Sequence, residues 1–96
     1  MAEKYIETVG RRKTAAARVR ITPAGKQQIT VNDKDYLEYF PIKELQNDVV
    51  APFKDLEQKF VVTAVVKGGG VASQAEAVRL GIARGLIEYD AELRGQ

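Results

Sequence analysis

From Thr14 to Thr22, Ala15, Ala17, Val19 and Ile21 alternate with Ala16, Arg18 and Arg20. That period of two predicts a strand with its apolar set on one face and both arginines on the other. Just before it, about Lys4 to Val9 reads as a strand closed by Gly10, so that Gly10-Arg11-Arg12-Lys13 becomes a turn with three cations at its tip. The two strands are expected to form a hairpin whose outward face and tip are basic. Pro23-Ala24-Gly25-Lys26 reads as a turn, and Gln28 to Val31 as a short third strand.

Asn32-Asp33 opens a loop, after which Asp35 and Glu38 are spaced as a capping box for one helical turn through Phe40. Ile42, Leu45, Val49, Phe53 and Leu56 keep helical spacing, but Pro52 interrupts the hydrogen-bond ladder. The expectation is a helix from about Ile42 to Ala51 and a second short turn starting at Pro52. Tyr36, Tyr39 and Phe40 could stack on bases, yet the charges around them are mainly acidic, which favours core packing. Phe60 to Val66 is apolar on nearly every position, as expected of a central strand covered on both faces.

The stretch from Lys67 to Glu76 joins that strand to the longest helical pattern, Gln74 to about Tyr89. Gly68, Gly69 and Gly70 suit a backbone that must reach positive φ or let another group approach closely. Ser73 and Glu76 have capping-box spacing, which predicts Ser73 as the N-cap. A glycine run feeding a helix N-terminus is also a seat for phosphate, although the Lys-Ser/Thr ending of a nucleotide-binding P-loop is missing. In the helix, Ala75, Val78, Ile82, Leu86 and Tyr89 form the core stripe. Ala77, Gly81 and Gly85 form a second line with almost no side chain, against which another element of the fold or a ligand backbone packs closely.

Composition narrows the chemistry. The 96 residues are expected to form one domain, residues 1–96, with the 45% hydrophobic and 29% charged content of an ordinary soluble protein. No apolar run is long enough for a transmembrane helix, and Met-Ala-Glu-Lys does not read as a signal peptide. With no cysteine and no histidine, the chain has no disulfide, thiol nucleophile or imidazole base, and lacks the usual zinc ligands. No metal site and no cofactor are expected, and a reducing, cytoplasmic location is. The net charge of +2 is unevenly placed: Lys4, Arg11, Arg12, Lys13, Arg18 and Arg20 face only Glu3 and Glu7 in the first twenty residues. A basic end on an otherwise balanced domain points to an anionic partner, nucleic acid first.

Four motifs in register then carry a resemblance. They are Gly10-Arg11-Arg12-Lys13 with Ala17-Arg18-Val19; Val31-Asn32 followed by Tyr39-Phe40; Gly68-Gly69-Gly70 with Gln74-Ala75; and Gly81-Ile82-Ala83-Arg84 with Leu86. From Tyr5 to about Arg94 the chain resembles the family of the universal ninth protein of the small ribosomal subunit, in its bacterial form. The resemblance implies an α+β fold, a four-stranded sheet with helices on one face, named after the second domain of small-subunit ribosomal protein five. It also implies a left-handed βαβ crossover, against the usual right-handed rule. The function it implies is structural: binding small-subunit rRNA in the subunit head near the peptidyl site, beside neighbouring head proteins, with no membrane and no enzymatic activity.

On that reading Arg11, Arg12, Lys13, Arg18, Arg20, Lys67, Gly68, Gly69 and Gly70 become expected RNA contacts. Arg84, opposite the core stripe, is expected to reach a phosphate, and Arg79 lies nearer the stripe's edge, where a carboxylate is the competing partner. The family's usual Ser-Gly-Gln before the helix is Ala72-Ser73-Gln74 here, which moves the hydroxyl by one position. Family members run on into a long basic tail that reaches transfer RNA; the sequence stops at Gln96, so no direct transfer RNA contact is expected of it. Two alternatives remain open from sequence. One is a small phosphotransfer enzyme of the same fold using the glycine loop, for which only Ser73 and Glu76 follow the glycines; the other is an engineered, isolated scaffold of the body.

Overall fold

The computed structural model describes residues 5–54 and 56–94. In chain order they form β1 (Ile6–Arg12), β2 (Ala15–Ala24), β3 (Gln28–Val31), β4 (Lys34–Asp35), α1 (Tyr36–Tyr39), α2 (Lys43–Val50), a 3-10 turn (Ala51–Phe53), β5 (Lys59–Lys67) and α3 (Val71–Arg94). The strands make one mixed sheet in the order β1-β2-β5-β3-β4, with β3 parallel to β5 and the other neighbours antiparallel. The class is α+β, as expected, but the described residues hold five strands rather than four. The extra one, β4, follows from Asn32 and Asp33, both at positive φ (49° and 68°), which fold the chain back as a tight turn instead of a loop.

Other boundaries moved for similar local reasons. The first strand continues through Gly10 and Arg11 to Arg12, and the turn is only Lys13-Thr14, with Lys13 at φ 56°. The expected start of that strand, Lys4, lies outside the described residues. Asp35 does cap α1, accepting a 2.9 Å bond from the Leu37 amide. The helix after Ile42 ends at Val50, with Pro52 inside the 3-10 turn that follows.

Register places Ala15, Ala17, Val19 and Ile21 beside Val62, Ala64 and Val66, on the buried face of the sheet. Helix α3 lies across β1 and β2 on that face, and α2 packs alongside it. Each fully buried Ile, Val or Phe contributes about 1.5–3 kcal/mol of transfer free energy, so Phe40, Phe60, Ile21, Ile29 and Ile82 anchor this layer. The small-residue line of α3 is filled by strand, not ligand. A Cβ on Gly10 would overlap the Ala77 carbonyl, and one on Gly81 would stand 2.6 Å from Val19 Cγ2. Thr8 Oγ1 donates to the Gly81 carbonyl at 2.5 Å, which fixes β1 against the helix.

The opposite face of the sheet is uncovered. This corrects the expectation that β5 is sheltered on both sides: Val62, Ala64 and Val66 are buried, whereas Val65 is 52% exposed. The apolar run hides a strict alternation because the outward positions are Val61, Thr63 and Val65, of which two are also valine.

Candidate nucleic-acid interface

Successive strand residues point to opposite faces, so extending β1 through Arg12 separates the cations read as one tip. Arg12 stands in register with Ala15 on the helix side, where its Nε lies 3.0 Å from Glu76 Oε1 of α3. Arg11 stands in register with Ala16 on the open side, and Ala16 is in turn in register with Lys67. Arg11 and Lys67 therefore flank Ala16 in one row across three strands, about 10 Å wide at ordinary strand spacing. Lys13 sits in the hairpin turn just beyond that row. Among the described residues none of Arg11, Lys13 and Lys67 has a carboxylate partner.

Further along the same face, Glu7 holds two arginines: Oε2 is 3.3 Å from Arg18 Nε and Oε1 is 3.2 Å from Arg20 Nε. Both guanidinium groups stay well exposed. Exposed pairs of this kind contribute about 0–1 kcal/mol, so a phosphate can compete for either arginine. Arg79 is half-buried on α3. Arg84 does lie on the exposed side of α3, and its Nη1 donates to the Val9 carbonyl at 3.0 Å.

The glycine loop is built onto the hairpin. Gly68 and Gly69 have φ of 77° and 66°; a Cβ on Gly68 would overlap the Thr14 carbonyl, and one on Gly69 would stand 2.9 Å from Ala15 Cβ. Gly70 has ordinary φ and open space where a Cβ would be. Its carbonyl accepts the Gln74 amide at 2.9 Å, so α3 begins at Val71. Ser73 is consequently inside the first turn rather than at the cap, and Glu76 serves Arg12 instead of a capping box. The chain needs no hydroxyl cap here because the glycines already set the entry direction.

A polar chain that sequence reading missed fixes this loop. The Asn32 amide bonds both backbone groups of Val66, at 2.9 Å to the N–H and 3.3 Å to the carbonyl, and its Nδ2 lies 3.4 Å from Tyr39 Oη. Tyr39 donates to Gln74 Oε1 at 2.8 Å, and Gln74 Nε2 donates to the Gly68 carbonyl at 3.0 Å. Tyr39 thus packs partly in the core, T-shaped on Phe40, with its hydroxyl spent on the chain. The signal available in the sequence was the recurrence of Asn32, Tyr39 and Gln74 among the shared motifs, three polar residues without an assigned partner.

The arrangement offers exposed cations beside an open stretch of backbone. No group of three or more metal-ligating side chains occurs among the described residues, and no helix among them is long and apolar enough to cross a membrane. A family model described as ribosomal protein S9/S16 matches residues 10–96. Small ribosomal subunit protein uS9 of Mycoplasma pneumoniae is 46% identical over 89 residues, covering 90% of this chain and 67% of that protein.

Proposed function

This chain belongs to the ribosomal protein S9/S16 family, and from that membership we propose that it docks small-subunit rRNA with the end of the sheet where the hairpin meets the glycine loop. It is a structural constituent of the small ribosomal subunit, acting in translation in the cytoplasmic ribosome. The observation that carries the docking site is the row Arg11–Ala16–Lys67 with Lys13 just beyond it, cations free of carboxylates among the described residues. Gly70 and the first amides of α3 lie next to that row, where backbone N–H groups and the helix dipole favour a phosphate. Arg18 and Arg20 extend the footprint once phosphate displaces Glu7, and Arg12, Arg79 and Arg84 line its borders. Gly68 and Gly69 shape the loop rather than touch RNA.

The same membership supports the fold named after the second domain of ribosomal protein five, with a left-handed crossover from β3 to β5, and a body without catalytic activity. The phosphotransfer alternative has no support in a family of structural proteins. Segment 33–54, with five acidic residues against three lysines, is the part of the chain best suited to neighbouring proteins of the subunit head.

The test is binding of the chain to head-domain rRNA across a salt series. Alanine at Arg11, Lys13 and Lys67 together should flatten log K against log salt by about 0.7–0.9 per lost contact. An unchanged slope would move the docking site elsewhere.

A further inference from the structure

The uncovered face of the sheet is not simply a basic surface. Val9 is 37% and Val65 52% exposed; they flank Arg18 in one register row and, with Ala16 between Arg11 and Lys67, line a shallow depression of about 230 Å³. At the far end Arg20 lies over the Tyr5 ring, 4.9 Å from its centroid, and Tyr5 is 50% exposed. Apolar floor, aromatic end and cationic rim thus occur on one surface about three strands wide.

We infer that this face seats unpaired nucleotides, with bases laid on the Val9–Val65 floor and against the Tyr5–Arg20 stack, and phosphates along the Arg11–Lys67 rim. The inference rests on the RNA-docking reading above and specifies the form of RNA. A-form duplex hides its base faces and offers a flat protein surface mainly phosphate and 2′-hydroxyl groups, which leave exposed valines without a partner. Unpaired bases supply both an apolar face and a charged backbone, the combination this surface matches. Glu7 strengthens the assignment. Its carboxylate pairs with both Arg18 and Arg20 in the middle of the face and leaves their guanidinium groups exposed, where a base can stack on them.

Fluorescence anisotropy of the chain with a short unpaired RNA, and with a blunt duplex of the same strand length at matched salt, tests this. Unpaired RNA should bind more tightly. Val65→Gln should weaken it about tenfold, the scale of losing the burial of one valine side chain, while leaving the salt slope and duplex binding unchanged. Tyr5→Ala, outside the core, should act in the same way and provides the readout if Val65→Gln does not fold. Equal binding of the two RNAs, or unaltered affinity in folded Val65→Gln and Tyr5→Ala, would overturn the inference. Binding of duplex alone would overturn it while leaving rRNA docking intact; binding of neither RNA would overturn both.

Discussion

Arg12 and Glu76, 64 residues apart, meet at 3.0 Å and tie the hairpin to the second turn of α3. One of the three consecutive cations in Arg11-Arg12-Lys13 is therefore engaged within the fold, and the three are not equivalent toward a ligand.

Single substitutions should expose that difference. Arg11→Ala is expected to lower the salt slope of rRNA binding by about 0.7–0.9, whereas Arg12→Ala should change it much less. Arg12→Ala should instead cost at most about 1 kcal/mol in urea unfolding, as an exposed pair does. Equal slopes for the two variants would show that Arg12 leaves Glu76 for RNA.

The three loop glycines divide in the same manner. Gly68→Ala and Gly69→Ala force an L-residue into positive φ against the hairpin backbone, at about 1–2 kcal/mol for the conformation alone. Their urea midpoints should fall while the folded fraction binds RNA normally. Gly70→Val meets no steric contact and should cost less stability than the other two, about 1 kcal/mol for a poorer N-cap. It should still weaken binding by the folded fraction; normal affinity in that variant removes the loop backbone from the interface.

Where β1 crosses α3, Gly10→Ala is expected to be among the most damaging small changes in the chain. The new methyl would have to displace the Ala77 carbonyl, and overpacking of this kind costs about 1–3 kcal/mol or more. Gly25→Ala, with nothing within 4 Å of the added carbon, is the control. Similar midpoints for the two would mean that β1 and α3 can separate cheaply.

Tyr39→Phe removes one hydroxyl and with it the link between Asn32 and Gln74. A loss of about 0.5–1.5 kcal/mol is expected. Amide exchange should accelerate most at Gly68 to Gly70, whose loop the chain anchors through Gln74. Uniform acceleration throughout the sheet would show that the hydroxyl supports the core in general and not the loop.

Much of this is legible in the sequence, because the periods are local. The alternation in β2 assigned Ala15, Ala17, Val19 and Ile21 to the core and the arginines to the outer face. The 3.6-residue spacing similarly found Ala75, Val78 and Ile82. What could not be read depends on register between distant strands. Gly10 looked like a strand end because glycine often is one, yet it remains in the strand since only glycine lets β1 reach the helix backbone there. That single misplacement grouped Arg11 with Arg12, which the pleat puts on opposite faces. Ser73 misled for a related reason: its capping-box spacing is genuine, but Gly70 lets the helix start three residues earlier. The uncovered face was masked by composition, since valine at Val61 and Val65 carries no mark of which side it occupies.

The bond from Arg84 to the Val9 carbonyl has a bearing on the chain before it ever meets RNA. Strand β1 ends the sheet, and an unpaired margin is where a second copy could add itself and begin a growing stack. Arg84 occupies one of the acceptors such a copy would need and sets a fixed charge across its path. At the other margin β4 is two residues long, too short to guide a newcomer. Both margins are thus poor templates for edge-to-edge pairing between free copies of the chain, one through an engaged acceptor and a fixed charge, the other through its shortness.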